Sequence, residues 1–270
     1  MTSLEAAVLG VVQGVTEFLP ISSTAHLRIV PALLGWSDPG AAFTAVLQLG
    51  TLAAVILFFA RDLGGMVKGT LKAAVDPARR NDLEVRMVGY LIAGTLPVVV
   101  AGILLKNAIQ GGLRALPVIA GAMIAVALVL AFVERTAKHE RSLEELTLRD
   151  ALIIGAAQAL ALIPGVSRSG ITLLAAMAIG LRRDAAARFS FLLSIPAVAG
   201  AGIFEMKHVL HSKEGGAPLL IGLVIAAVTG YASIAWLLRF LRTRTTIPFV
   251  VYRVALGIAI FALLATGHLN

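Results

Sequence analysis

"LGVVQGVTEFLPISSTAH" (9–26) and "IGAAQALALIPGVSRSG" (154–170) are the two stretches that decide the fold. Each begins as a short apolar run, meets a proline and a cluster of hydroxyl side chains, and then starts again. Laid one on the other, they put Gly10 on Gly155, Gln13 on Gln158 and Ser22 on Ser167, all at an offset of 145. Further on, Phe43 pairs with Phe189, Gly89 with Gly222 and Pro117 with Pro248. The order of elements repeats: a broken pair of short helices, then three long apolar runs.

The solvent of such a chain is read from its composition. Of 270 residues 59% are hydrophobic and 14% charged. Soluble domains carry about 25% charged residues, so the chain is expected to be a polytopic membrane protein. Its 26 Gly and 10 Pro fit a transmembrane bundle as well. No cysteine is present, which removes disulfide, Fe–S and thiolate chemistry. Arg28 is the first basic residue and Glu5 sits where a signal peptide would be positive, so residues 1–20 do not read as one. The net charge of +8 lies in short loops between apolar runs rather than on one face, which argues against a nucleic-acid partner.

Six runs are long enough to span: 43–60, 87–105, 117–133, 189–206, 218–238 and 248–266. Residues 4–34 and 151–181 are different. Each arm there is only about 12–14 residues, too short to cross a bilayer. Broken backbone at membrane depth survives only inside protein or along a wet cavity, so both regions read as re-entrant helical hairpins. The expected fold is all-α: one integral membrane unit over 1–270, with six transmembrane helices, two re-entrant hairpins and repeats of about 1–135 and 145–270. Three crossings per repeat invert the second half, and such repeats place a site near the midplane.

Counting basic residues orients it. Segments 61–86, 134–150, 182–188 and 239–247 hold sixteen Lys/Arg, against four on the other side: Lys106, Arg114, Lys207 and Lys213. The richer side is expected in the cytoplasm of a bacterial inner membrane. Both termini and the mouth of the first hairpin then face the periplasm.

Arg28, Arg168, Arg253 and Glu17 remain inside apolar regions. Ionisable groups there cost about 2.5–3.5 kcal/mol each on insertion scales and point to function. A structural ion pair between Glu17 and Arg168 is the plain alternative. Gln13 and Glu17 share a helix face; Pro20 ends that helix; Ser22 or Ser23 caps the next, which carries His26. Pro164-Gly165 breaks the second region, and Ser167, Ser169 and Gly170 open a new helix. Both breaks thus offer a helix N-terminus, a natural phosphate site, with Arg168 as a bidentate fork. Capping alone explains Ser22 and Ser169 but does not call for Glu17, Ser23, His26 and Arg168 together.

Gln13-x-x-x-Glu17, "FLPISSTAH" (18–26) and "PGVSRSG" (164–170) resemble the bacterial undecaprenyl-diphosphate phosphatases, the bacitracin-resistance proteins. "QLG" (48–50), "FSFLLSIP" (189–196) and "IPFVVYR" (247–253) are weaker echoes. The resemblance implies a homodimeric dephosphorylase of a C55 polyprenyl diphosphate, in contact with membrane lipids and usually using a divalent cation such as Mg²⁺ or Ca²⁺. Where the family has a second glutamate this chain has Gln13, and where it has Gly before the histidine this chain has Ala25. One carboxylate is thus left for a metal, Glu17, with Gln13 beside it.

Within that resemblance Ser23 is the nucleophile on the terminal phosphorus, and Arg168 holds phosphate oxygens. Glu17 deprotonates Ser23 or holds metal, and His26 moves protons or is itself the nucleophile. Ser22, Thr24, Ser167, Ser169 and Thr172 line the phosphates, with Gln13 assisting Glu17. The competing reading is a transporter or flippase for an anionic substrate, since inverted repeats and broken helices are transporter anatomy. A carrier needs no nucleophile, and "SSTAH" beside Glu17 separates the two.

Overall fold

The computed structural model describes residues 1–38, 40–105, 115–210 and 216–267, with no side-chain detail at 41–42, 201 and 203–210. Lys106, Arg114 and Lys213 lie outside the described residues, as does the side chain of Lys207. Every regular element described is helical. Among the described residues eleven α-helices follow in order: α1 (Ser3–Phe18), α2 (Ser23–Leu34), α3 (Gly40–Phe58), α4 (Ala60–Val75), α5 (Leu83–Leu104) and α6 (Leu116–Thr136). Then come α7 (Leu148–Ala159), α8 (Arg168–Ala178), α9 (Arg183–Leu210), α10 (Ala217–Leu241) and α11 (Ile247–Ala265). Short 3₁₀ turns cover Pro77–Asn81 and Leu160–Leu162.

Among the described residues α5, α6, α10 and α11 are long and apolar enough to cross a membrane, with α3 and α4 together a fifth candidate. Only 22% to 39% of each of these four helices' apolar window is buried inside the protein. Val99, Leu128, Val224 and Ile258 are among the side chains left outward. An apolar surface of that extent is untenable in water and ordinary in lipid. The protein is therefore a multi-pass membrane protein.

Those four helices coincide with the runs expected at 87–105, 117–133, 218–238 and 248–266. The run at 189–206 lies within the 28-residue α9. The run at 43–60 stops at Phe58, where the chain bends by 71° into α4. At the corner Phe59 leaves helical geometry (φ −96°, ψ 18°) and buries its ring edge-on to Phe58, 5.0 Å away. Arg188 lies 5.5 Å above that ring and pairs with Asp62 at 2.5 Å. The sequence reading leaves 61–86 as a loop. Much of it is α4, an amphipathic helix burying Met66 and Ala73 and exposing Val67 and Leu71.

The helices of the two broken regions are short: 16 and 12 residues in α1 and α2, 12 and 11 in α7 and α8. At 1.5 Å per residue the longest covers about 24 Å, less than the ~30 Å hydrocarbon core. Both first arms open on a capping box, Thr2 with Glu5 and Thr147 with Asp150, at the same offset of 145. α1 ends at Phe18 because Leu19 is extended ahead of Pro20. α2 begins after Ser22 (φ 75°), whose Oγ accepts the Ala25 N–H at 3.4 Å. α7 runs on through the 3₁₀ turn to Pro164-Gly165, where Gly165 takes φ 95° with its open side against the Ile119 backbone. Ser167 (φ 72°) then caps α8 by accepting the Gly170 N–H at 3.1 Å.

Glycines set the approach of these short helices to the long ones. Gly10 on α1 faces Gly222 on α10, and Gly155 on α7 faces Gly94 on α5; a Cβ at either α1 or α7 position would run into backbone. Gly89, which the sequence alignment pairs with Gly222, has open space around it. The α5 glycine at a helix crossing is Gly94, because it is the one turned toward α7.

Candidate active site

The polar residues of the two breaks converge on one cavity of about 160 Å³. Its polar wall is Glu17 from α1, Ser23 and Thr24 from the first turn of α2, Gln48 from α3, Gln158 from α7, Ser167 and Arg168. Its apolar wall is Val98, Ala161, Leu162, Ile163, Ala197 and Val198. Short helices are needed here: α1 and α7 end, and α2 and α8 begin, in the middle of the protein rather than at its rim, which brings their terminal side chains there.

Glu17 is the hub. Its Oε2 accepts the Ser23 hydroxyl at 2.7 Å and the Gln13 amide at 2.9 Å, and its Oε1 accepts Arg168 Nη2 at 3.0 Å. The carboxylate is 6% exposed, and three donors hold it in one orientation. Arg168 also reaches the Ser190 carbonyl at 3.4 Å, while its buried Nε has no protein partner among the described residues. The ion pair that the sequence offered as the plain alternative, Glu17 with Arg168, thus exists, but with the Ser23 hydroxyl on the carboxylate's other oxygen.

Both caps are held in the left-handed region, which non-glycine residues adopt at a cost of about 1–3 kcal/mol and mostly at functional sites. Tertiary contacts over-determine them. Ser169 Oγ donates to the Leu19 carbonyl of the other break at 3.0 Å. Arg253, fully buried, donates to the carbonyls of Pro20, Gly165, Val166 and Met123 at 3.0–3.1 Å. This arginine joins both breaks to α6, a role the sequence did not disclose. Its signal was present: an arginine inside the apolar run of 248–266 with no acid near it in sequence.

Several expected site residues stand elsewhere. Glu17, Ser23, Thr24, Ser167 and Arg168 line the cavity, with Gln13 behind Glu17. Ser22 and Ser169 serve cap and bridge. Thr172 Oγ1 donates to the Arg168 carbonyl at 2.7 Å and meets Ser190 Oγ at 2.6 Å, behind the wall. His26 is also outside the wall. Its Nδ1 lies 2.7 Å from the Ser22 carbonyl, which only accepts, so that nitrogen carries the proton; Nε2 faces the Tyr252 hydroxyl at 2.7 Å. Arg28, read as deep, lies a third exposed and pairs with Asp38 at 3.1 Å. Gln48 and Gln158 are wall residues that residue-type reasoning missed, although both lie in quoted motifs.

The donor set does not fit a resident divalent cation. Glu17 is the one carboxylate on the wall, an arginine and two other donors occupy it, and no three His, Asp or Glu cluster among the described residues.

The sequence pattern of the family described as "Bacitracin resistance protein BacA" matches residues 6–259. The chain is 53% identical to the "Undecaprenyl-diphosphatase" of Myxococcus xanthus over all of its own length and 92% of the relative's. It is 49% identical to the protein of that name from Nocardioides sp., over 98% of this chain and 97% of the relative. For the protein of that name from Chlorobium limicola the identity is 45%, over 100% and 99%.

Proposed function

The chain belongs to the bacitracin resistance protein BacA family, and from that premise we propose that it hydrolyses undecaprenyl diphosphate to undecaprenyl phosphate and inorganic phosphate. The product is the carrier lipid that peptidoglycan synthesis reuses. The observation that carries the reading is the Ser23 hydroxyl held on Glu17 beside Arg168 in one cavity. A hydroxyl becomes a competent nucleophile when an adjacent base takes its proton, and here the two are 2.7 Å apart.

Ser23 attacks the terminal phosphorus, Glu17 takes the hydroxyl proton, and the lipid phosphate leaves with the electrons of the anhydride bond. Arg168 retains donors beyond its bond to Glu17 and, with the positive ends of α2 and α8, whose first-turn residues line the cavity, holds the equatorial oxygens as charge shifts. Thr24 supplies a hydroxyl to those oxygens, while the Ser167 O–H is turned to Ser169 Oγ. The geometry supports Ser23 over His26 as nucleophile, since the His26 ring is committed to Ser22 and Tyr252. No step is routed through a metal. The mixed wall fits the substrate: polar for the diphosphate, apolar where the first isoprene units pass.

The proposed layout is an inverted repeat of six spans and two re-entrant hairpins, with periplasmic termini. Matching capping boxes, matching strained caps and the exchanged crossings of α1 on α10 and α7 on α5 support the repeat, and the excess of basic residues on one side supports the orientation. The test is phosphate release by purified protein from C55 diphosphate, a C15 analogue and inorganic diphosphate. Ser23→Ala and Arg168→Ala are each expected to lower kcat by about 10³-fold or more, and shortening the tail to lower kcat as well as raise KM. Equal turnover of inorganic diphosphate, or near-native turnover by Ser23→Ala, contradicts the reading. Proteoliposome uptake of phosphate that survives Ser23→Ala points instead to a carrier.

A further inference from the structure

Gln158 is 1% exposed and lines the cavity, yet neither its Nε2 nor its Oε1 has a hydrogen-bond partner among the described residues. Buried amides are almost always paired, so one left wholly unpaired in a cavity wall is held for a ligand. Its counterpart explains why it is free. Gln13, 145 residues earlier, spends its amide N–H on Glu17 one turn ahead, at 2.9 Å. The residue one turn ahead of Gln158 is Leu162, which offers nothing to bond. The two helices therefore carry the same glutamine in different service.

The missing partner must both accept and donate. A phosphate dianion satisfies the Nε2–H but leaves Oε1 unpaired; a water satisfies both atoms. We propose that Gln158 positions the water that hydrolyses the phosphoserine, an inference that rests on Ser23 being the nucleophile. Nε2–H donates to the water oxygen and Oε1 accepts one of its O–H groups, which aims the free lone pair. The water oxygen bonds to phosphorus and the P–Oγ bond breaks. Oγ regains the proton that Glu17 took in the first step. Both water protons stay with the phosphate, which leaves as dihydrogen phosphate.

The test uses the full-length protein in detergent and undecaprenyl diphosphate labelled in its terminal phosphate. In Gln158→Leu the first step should survive: one undecaprenyl phosphate per enzyme in a burst, with label retained on Ser23. Steady-state phosphate release should fall about 100-fold, the scale of a reactant displaced by an ångström. Gln158→Leu should also unfold at no lower temperature than wild type, because it removes two buried polar atoms that bond to no protein group among the described residues. A raised KM with no labelled protein would mean that Gln158 holds the diphosphate, and would overturn the proposal. So would a lowered unfolding temperature with activity lost and no labelled protein. If Ser23→Ala is inactive while Gln158→Leu turns over normally, this inference alone fails. If Ser23→Ala still turns over, the reading beneath it fails too.

Discussion

A buried arginine among carbonyls is an expensive device, and Arg253 shows what it does. Its fork reaches three separate segments, the breaks at Pro20 and Gly165-Val166 and helix α6, which no single point charge can do. Each buried carbonyl left without a donor costs about 1–3 kcal/mol. Arg253→Met should therefore unfold at a markedly lower temperature in detergent, and Arg253→Lys should recover only part of the loss. A native unfolding temperature for the methionine variant would show that the carbonyls find other donors. Sequence could mark Arg253 as anomalous but could not assign it, because its partners are backbone atoms 87 to 233 positions away.

At the level of elements, the site depends on how closely two short helices can approach two long ones. α7 presses Gly155 on Gly94 with no room for a Cβ, and the same helix carries Gln158 one turn on. Backbone cannot yield as a side chain can, so Gly155→Ala should push α7 outward, lower the unfolding temperature and reduce phosphate release together. Gly89→Ala is the control: in open space, exchanging helix-interior glycine for alanine is neutral or stabilising by up to about 1 kcal/mol. Equal effects at the two positions would refute the crossing as the cause. The broken helices themselves were readable, since Pro20, Pro164 and the hydroxyl clusters break helices locally. The bend at Phe59 was not, because its causes, the Arg188 contact and the Asp62–Arg188 pair, come from a helix far along the chain.

For the molecule as a whole, the count of basic residues is a statement about which side faces the cytoplasm. The chain has no cysteine, so single cysteines report cleanly. Ser37→Cys, between α2 and α3, should react with a membrane-impermeant maleimide in intact spheroplasts; Arg79→Cys should not. The reverse pattern would turn the protein over and open the first break to the cytoplasm.

What the sequence determined by itself is what short-range rules and composition govern. A membrane solvent follows from 59% hydrophobic residues. The long helices follow from apolar runs, the breaks from proline and hydroxyl residues, and the Gln13–Glu17 pairing from helical spacing. Tertiary structure decided which of the clustered polar residues line the cavity. Ser22, Ser23 and His26 sit within one turn in sequence, yet only Ser23 reaches Glu17, because the Ser22 hydroxyl caps α2. It also decided that His26 turns to Tyr252 and that Gln158 is left unpaired. Those outcomes depend on where distant helices lie, and local spacing carries no information about that.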